Sequence, residues 1–243
     1  MYGWRARIGI VSAGVGAPEG DFPRMIPDGV MLYFHKFPMH NPKGRVTCVD
    51  DLKQPIQVFG DASAELMQFR PVSMALCGTG LSFCGGYGYD KMIIEKMQER
   101  NGGIPTTTSS TSVVDAMKKM GIHRVSLAMP YLEDVALTAI QFFEANGLQI
   151  VKYKWLGLPT ASKRMDDVSK EEVYHLAREV DDPSSEAVII SCVMLNAIDV
   201  IEPLEADLMK PVVTSNQATI WNCLRMAGVN QRIQGFGQLF YKF

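Results

Sequence analysis

The chain has 243 residues, of which 47% are hydrophobic and 21% charged, a composition typical of a folded protein with room for two domains of about 100–120 residues. Its 24 basic and 26 acidic residues are nearly balanced, so neither a nucleic acid nor a membrane surface is expected as a partner. Five cysteines without a CxxC pair argue against a disulfide framework and against a metal site. Because no apolar run approaches about 20 residues and the chain starts directly with a strand, a cytoplasmic protein is predicted.

Strands and helices are predicted to alternate along nearly the whole chain. Short apolar runs predict strands at 8–12, 30–34, 73–77, 106–108, 124–129, 150–153, 187–192 and 211–214. Helical periodicity predicts helices at 62–69, 89–100, 112–120, 132–146, 170–179, 198–207 and 217–227. Such alternation is typical of an α/β protein with parallel sheets and helices on both faces.

Three pairs of segments recur at an offset of about 105–117 residues. A buried strand followed by a cysteine occurs at 75–80 (ALCGTG) and at 189–194 (IISCVM). A strand at 8–14 resembles 125–131, and a Thr-Ser cluster that leads into a helix occurs at 105–117 and at 211–224. The sequence therefore predicts two similar α/β halves whose strand ends face one cleft, which suits a small-molecule enzyme.

The carboxyl ends of the predicted strands hold the candidate functional groups. The loop 78–82 (GTGLS) offers closely spaced amides and hydroxyls that could hold an anionic oxygen, although a plain turn would also need its glycines. Cys192 follows an apolar run and precedes a helix, where backbone dipoles could lower its pKa; a buried core cysteine is the alternative. The segment 14–43, rich in proline and glycine, is a candidate lid or pocket wall.

The sequence resembles the aspartate/glutamate racemase superfamily, in its arylmalonate decarboxylase and maleate isomerase branch. The segments that carry the resemblance are ALCGTGLSF, TTTSSTSVVDAM, GIHRVSLAMPYLEDV, VIISCVMLNAIDVIEPLE, PVVTSNQATIWNCLRMAG and GFGQLF, in the order and spacing of an arylmalonate decarboxylase. The resemblance implies two Rossmann-like domains related by a pseudo-twofold axis, with the active site in the cleft between them. It predicts a first domain at 1–112 plus 213–243 and a second at 113–212.

The resemblance also implies a mechanism without a cofactor. Gly78 takes the position of the first cysteine of two-cysteine relatives and Cys192 that of the second, as in the single-cysteine decarboxylase. The implied reaction removes one carboxyl group of a 2-substituted malonate-type acid, and Cys192 protonates the resulting enediolate. The implied catalytic residues are Cys192, Thr79 and Tyr131. The implied substrate-binding residues are Gly78, Gly80, Val193, Met194 and Ala13, with Arg24 or Lys36 as candidate contacts of a second carboxylate.

Several departures keep other functions open. Gly80 replaces a serine of the family, and Val193 and Met194 replace glycines, which should narrow the pocket and disfavour an aryl substituent. A racemase or cis-trans isomerase would need a second thiol in the cleft, from Cys77 or Cys84, and the asparagine of maleate isomerases after the first strand is missing. A ligand sensor without catalysis is a further alternative. The sequence does not predict the oligomeric state.

Overall fold

The computed structural model describes residues 2–13, 17–39, 46, 48–159, 165 and 167–243. The strands are β1 (Ala6–Ala13), β2 (Val30–Phe37), β3 (Ser73–Cys77), β4 (Thr106–Thr108), β5 (Arg124–Met129), β6 (Gln149–Trp155), β7 (Ala187–Ile190) and β8 (Val212–Thr214). The α-helices are α1 (Ala17–Asp21), α2 (Gln57–Leu66), α3 (Thr79–Phe83), α4 (Tyr89–Asn101), α5 (Ser109–Met120), α6 (Glu133–Ala145), α7 (Lys170–Val180), α8 (Ile201–Leu208), α9 (Ser215–Met226) and α10 (Gly237–Lys242). Short 3₁₀ helices cover Phe22–Met25, Val49–Leu52, Met67–Phe69 and Ile198–Val200.

The strands form two parallel sheets with the same topology. The first sheet has the order β2-β1-β3-β4 and the second the order β6-β5-β7-β8. Each strand of the first half therefore has a counterpart in the second half, which confirms the repeat and the α/β fold class predicted from the sequence. The inner strands β3 and β7 are buried along their whole length, as expected for parallel strands covered by helices on both faces.

The Thr-Ser clusters of the repeat begin the two helices that pack against each other between the sheets. The Thr108 hydroxyl caps α5, and the Thr214 hydroxyl caps α9 by accepting the Gln217 amide at 3.0 Å. Asn222 of α9 donates from Nδ2 to Asp115 Oδ2 of α5 at 3.1 Å. Because each helix starts where a strand ends, both N-termini lie at the carboxyl edges of the sheets.

Some sequence predictions need correction. The strand predicted at 187–192 ends at Ile190, so Cys192 lies in the turn that follows it. The helices α1, α3 and α10 were not predicted, because each has five or six residues and is too short to show helical periodicity. Much of the candidate lid is regular, with α1, a 3₁₀ helix and β2. Its parts at 14–16 and 40–43 lie outside the described residues.

The division into domains at 1–112 plus 213–243 and at 113–212 stays a prediction. Helix α5 continues across the first of these boundaries and β8 across the second. Along the described part of the chain, no helix has both the length and the apolar character needed to cross a membrane.

Gly237, at the start of α10, is a glycine that the fold requires. Its φ is +76°, and a Cβ there would lie 2.5 Å from Ile201 Cγ2. Gly228 has a similar φ of +75°, but a Cβ at this residue would meet no atom within 4 Å. We expect Gly228→Ala to lower the free energy of unfolding by about 1 kcal/mol, and Gly237→Ala by about 2–3 kcal/mol, because only the second adds a clash. Urea unfolding of both variants measures the difference, and equal losses would contradict the steric argument.

Candidate active site

The three predicted catalytic side chains lie just beyond the ends of β3, β5 and β7, one strand of the first sheet and two of the second. Thr79 begins α3 one residue after Gly78, Tyr131 lies two residues past β5, and Cys192 lies two residues past β7. All three are buried, with exposed fractions of 1%, 1% and 4%. The carboxyl edges of both sheets thus contribute to one enclosed polar site, as the general rule for parallel sheets requires.

The hydroxyl of Tyr131 is the centre of this site. Burial raises the pKa of Tyr131 well above its ordinary value, the charge of the Cys192 thiolate and its hydrogen-bonding contact with the phenol raise it further, and hydrogen-bonding contacts with Ser191 and Thr79 lower it. These groups therefore surround the phenol, which stays protonated and able to donate a hydrogen bond. Even so, the Thr79, Tyr131 and Ser191 hydroxyls form no hydrogen bond of acceptable geometry within the described residues.

Buried hydroxyls without partners are unfavourable by about 1–3 kcal/mol each, so several in one place indicate a site built for a ligand. Hydroxyl donors that converge at the end of a strand suit a carboxylate or another anionic oxygen. The Gly80 amide, in the first turn of α3, has no partner four residues earlier in its helix and can contribute to the same anion site. We refer to Thr79, Tyr131 and Ser191 as the hydroxyl set.

Cys192 contacts both polar and apolar groups. The Met194 amide donates to Cys192 Sγ at 3.4 Å, and Met165 Sδ lies 3.9 Å from the same sulfur. An amide that points at the sulfur favours the thiolate. The predicted helix after Cys192 starts only with the 3₁₀ turn at Ile198, so the Met194 amide belongs to the turn that follows β7 and not to a helix N-terminus. Val193 is nearly buried and Met194 is partly exposed.

Gly78 and Gly80, two of the predicted substrate-binding residues, lie where a side chain would come close to a neighbouring leucine. Gly78 donates its amide to Ser109 Oγ at 3.2 Å, and a Cβ at this residue would lie 2.7 Å from Leu81 Cδ1. A Cβ at Gly80 would lie 3.1 Å from Leu52 Cδ1. Ala13 is the last residue of β1 and is partly exposed, next to residues 14–16 that are not described.

Cys77 lies one residue before Gly78 on the face of β3 that α9 covers. The Ser73 hydroxyl, on the same face, donates to the Cys223 carbonyl of α9 at 2.9 Å. Burial raises the pKa of Cys77 well above its ordinary value, the charge of Glu19 raises it further, and a hydrogen bond with Ser109 opposes both. Cys77 is therefore a protonated thiol, and a charge on nearby Cys192 adds a smaller rise to its pKa.

The other candidate groups lie in other surroundings. Cys84, named above as a possible second thiol, is buried at the end of α3, where burial raises its pKa to about 12. Arg24 pairs with Asp199 at 2.5 Å, and Lys36 with Glu19 at 2.5 Å. Of the two remaining cysteines, Cys223 is buried and Cys48 is only partly buried.

Sequence reasoning missed Ser191, which is fully buried and belongs to the hydroxyl set. The available signal was its position directly before Cys192 at the end of a strand, the place where the repeat has Cys77 directly before Gly78. It also missed Asp21, a nearly buried carboxyl whose Oδ2 accepts the Asn216 side-chain amide at 2.8 Å. Burial raises the pKa of Asp21 to about 6, and the bond from Asn216 opposes this rise.

The raised pKa of Asp21 predicts how stability depends on pH. The folded protein holds the proton up to about pH 6, whereas the ordinary pKa of the carboxyl is 3.8, so this contribution to stability is fully present below pH 3.8 and is lost as the pH rises through 6. Asp21→Asn cannot ionise. We expect the free energy of unfolding of this variant, relative to the unmodified protein, to increase by about 1 kcal/mol between pH 5 and pH 8. Urea unfolding at both pH values tests this, and a constant difference would show that Asp21 is not destabilised by its charge.

Comparison with known proteins connects this site to a family. The family model described as arylmalonate decarboxylase matches residues 49–240. The arylmalonate decarboxylase of Bordetella bronchiseptica is 31% identical over 183 residues, which cover 74% of this chain and 75% of that protein.

Solved structures of two kinds of enzyme share the fold. A double mutant of arylmalonate decarboxylase in its liganded form is 26% identical, with a TM-score of 0.85 and coverage of 97% of this chain and 98% of that one. The maleate isomerase Iso from Pseudomonas putida S16 is 20% identical, with a TM-score of 0.87 and 98% coverage of both chains. The resemblance and the fold predicted from the sequence are thereby confirmed. The match over residues 49–240 includes β3, β4, the whole second sheet, Cys192 and the hydroxyl set, and the chain belongs to the arylmalonate decarboxylase family.

Proposed function

We propose that this protein is a cofactor-free decarboxylase of a 2-substituted malonate-type dicarboxylic acid. The observation that carries the proposal is the hydroxyl set, in which the enclosed hydroxyls of Thr79 and Ser191 lie beside that of Tyr131, next to the Cys192 thiol, and all three lack a hydrogen bond of acceptable geometry among the described residues. This arrangement supplies hydrogen-bond donors for a developing enediolate and a proton donor for its carbon atom. Its relative from Bordetella bronchiseptica is an arylmalonate decarboxylase.

The proposed reaction begins with one carboxylate held by the hydroxyl set and the Gly80 amide. The second carboxylate lies in apolar surroundings, to which Met165, next to Cys192 Sγ, and Leu81, next to Gly78, contribute. A carboxylate without donors is destabilised there, which favours breaking its bond to C2 and releasing carbon dioxide. The electron pair of that bond enters the enediolate, whose oxygens the hydroxyl set stabilises.

The reaction ends with a proton transfer. The Cys192 thiol donates its proton to C2 on one face of the enediolate, and the product is a monocarboxylic acid. The thiolate, stabilised by the Met194 amide, then regains a proton from water.

Since none of the five cysteines forms a disulfide, we also propose a reducing, cytoplasmic location.

A racemase or cis-trans isomerase of a small carboxylic acid is the second candidate. One observation favours it, namely that the Cys77 thiol lies close enough to Cys192 for their charges to interact. Maleate isomerases are also among the relatives. The position of Cys77 on the face covered by α9, and its strongly raised pKa, make it a poor base and place the decarboxylase first.

Incubation with a panel of 2-substituted malonates in deuterated buffer, followed by proton NMR, tests the proposal. We expect a monocarboxylic acid with deuterium at its α-carbon. If the malonates are inert and the protein isomerises maleate or introduces deuterium at the α-carbon of chiral 2-substituted acids, the proposed decarboxylase is wrong and the second candidate is supported. A protein that is inert toward all of these acids would contradict both.

A further inference from the structure

A second group of enclosed polar atoms, at the carboxyl end of β1 and at the start of α9, has no role in the proposed reaction. Ser12 Oγ, Ser215 Oγ and Asn216 Oδ1 have no hydrogen-bond partner within the described residues. The three side chains belong to residues with exposed fractions of 4%, 0% and 1%. We call these three residues the polar cluster.

The polar cluster is connected to the candidate active site through hydrogen bonds. The Ser215 carbonyl accepts the Thr219 hydroxyl at 2.7 Å, and Thr219 Oγ1 in turn accepts the Ser109 hydroxyl at 3.0 Å. Ser109 Oγ in turn accepts the Gly78 amide at 3.2 Å. Ser12 pairs in register with Cys77, the residue before Gly78. The backbones of Ser12 and Ser215 are thus connected to Gly78 and its neighbour Cys77, and we infer that the polar cluster borders the place proposed for the carbon atom of the substrate.

The orientation of the Asn216 amide is fixed by its neighbour. Asp21 Oδ2 lies 2.8 Å from Asn216 Nδ2, and an ionised carboxylate can only accept hydrogen bonds. The nitrogen of the amide must therefore face Asp21, which directs the oxygen to the other side. Asn216 Oδ1 is thus a buried acceptor for which the described residues supply no donor.

We propose that Asn216 is a specificity-determining residue whose Oδ1 accepts a hydrogen bond from a donor group on the 2-substituent of the substrate. The inference rests on the proposed function and refines it, because it assigns the substrate to the malonates whose substituent carries a hydroxyl or an amine. Ser12 and Ser215 can satisfy the remaining hydrogen-bonding capacity of either group. An apolar substituent of the same size would leave all three polar atoms unsatisfied, and sites built for hydrogen bonds reject such analogues.

Binding to the Cys192→Ala variant tests this without turnover. Isothermal titration calorimetry compares hydroxymalonate with methylmalonate, which have the same size, and 2-(2-hydroxyethyl)malonate with 2-propylmalonate. Aminomalonate separates an amine from a hydroxyl. In at least one of the two pairs, we expect the acid whose substituent carries the hydroxyl to bind about tenfold more tightly than its apolar counterpart. This preference should disappear when Asn216→Ala is added. Asn230→Ala, at an exposed asparagine, is the matched control and should keep the preference.

The outcomes separate this inference from the proposed function. Equal or reversed affinities in both pairs, or no binding of any of these acids, would overturn the role of Asn216. A preference that persists in Asn216→Ala would do the same. If Asn216→Ala does not fold, Asp21→Asn replaces it, because it frees the amide to rotate and should reduce the preference; an unchanged preference there overturns the inference. Carbon dioxide release by the unmodified protein is measured separately, so a preference without decarboxylation supports the inference and contradicts the proposed function.

Discussion

Replacing Cys192 by alanine should lower the rate of carbon dioxide release from a reactive malonate by about 10²–10⁴-fold. The expected loss is large because the substitution removes the group that would protonate the enediolate. Binding should change far less, since the hydroxyl set that would hold the carboxylate is intact. Single-turnover kinetics measures the loss in rate, and the affinity for an unreactive acid, measured in parallel, shows the change in binding.

Cys77→Ala is the matched control, since Cys77 is a second buried thiol, at the end of β3, whose pKa the charge of Cys192 affects. We expect its rate to stay within about threefold of the unmodified protein, with a loss of about 1 kcal/mol in the free energy of unfolding from the lost packing. Similar large losses of activity in both variants would show two working thiols and would support the isomerase or racemase alternative.

The fold was predictable because its signals are local and occur twice. Short apolar runs locate the strands. The repeated Thr-Ser clusters at Thr108 and Thr214 mark the start of the equivalent helix in each half, α5 and α9. Exact ends were less predictable. Nothing in the run of apolar residues indicates that β7 ends at Ile190 rather than at Cys192, because the end depends on where its pairing with β5 stops.

The candidate site was predictable in its position and less so in its composition. The rule that ligands bind at the carboxyl ends of parallel strands selects the neighbourhoods of Thr79, Tyr131 and Cys192 from the sequence alone. The contacts of Asn216 with Asp21 join residues 195 positions apart in the chain. No local pattern indicates such a pair, and a single asparagine at a helix start is usually interpreted as a cap. The unpartnered state of its oxygen is visible only in the folded structure.

Tyr131→Phe should lower kcat/KM for the same malonate by about 10²–10³-fold, because it removes one donor to the enediolate. The ring itself should keep its place, since it packs edge-to-face against Phe83 with a centroid distance of 5.8 Å. The raised pKa of Tyr131 adds a second expectation. The hydroxyl stays a donor throughout the neutral range, so the pH-rate profile of the unmodified protein should show no loss from its ionisation below about pH 10.

The stability of Tyr131→Phe shows whether the hydroxyl serves the ligand or the fold. A buried hydroxyl without a partner destabilises the folded state, so its removal should leave the free energy of unfolding unchanged or raise it by about 1 kcal/mol. Tyr241→Phe, at an exposed tyrosine, should change neither activity nor stability. A Tyr131→Phe variant that loses stability and keeps its activity would show that the hydroxyl is a structural group. Lower activity without lost stability is expected of a donor whose partner is the substrate.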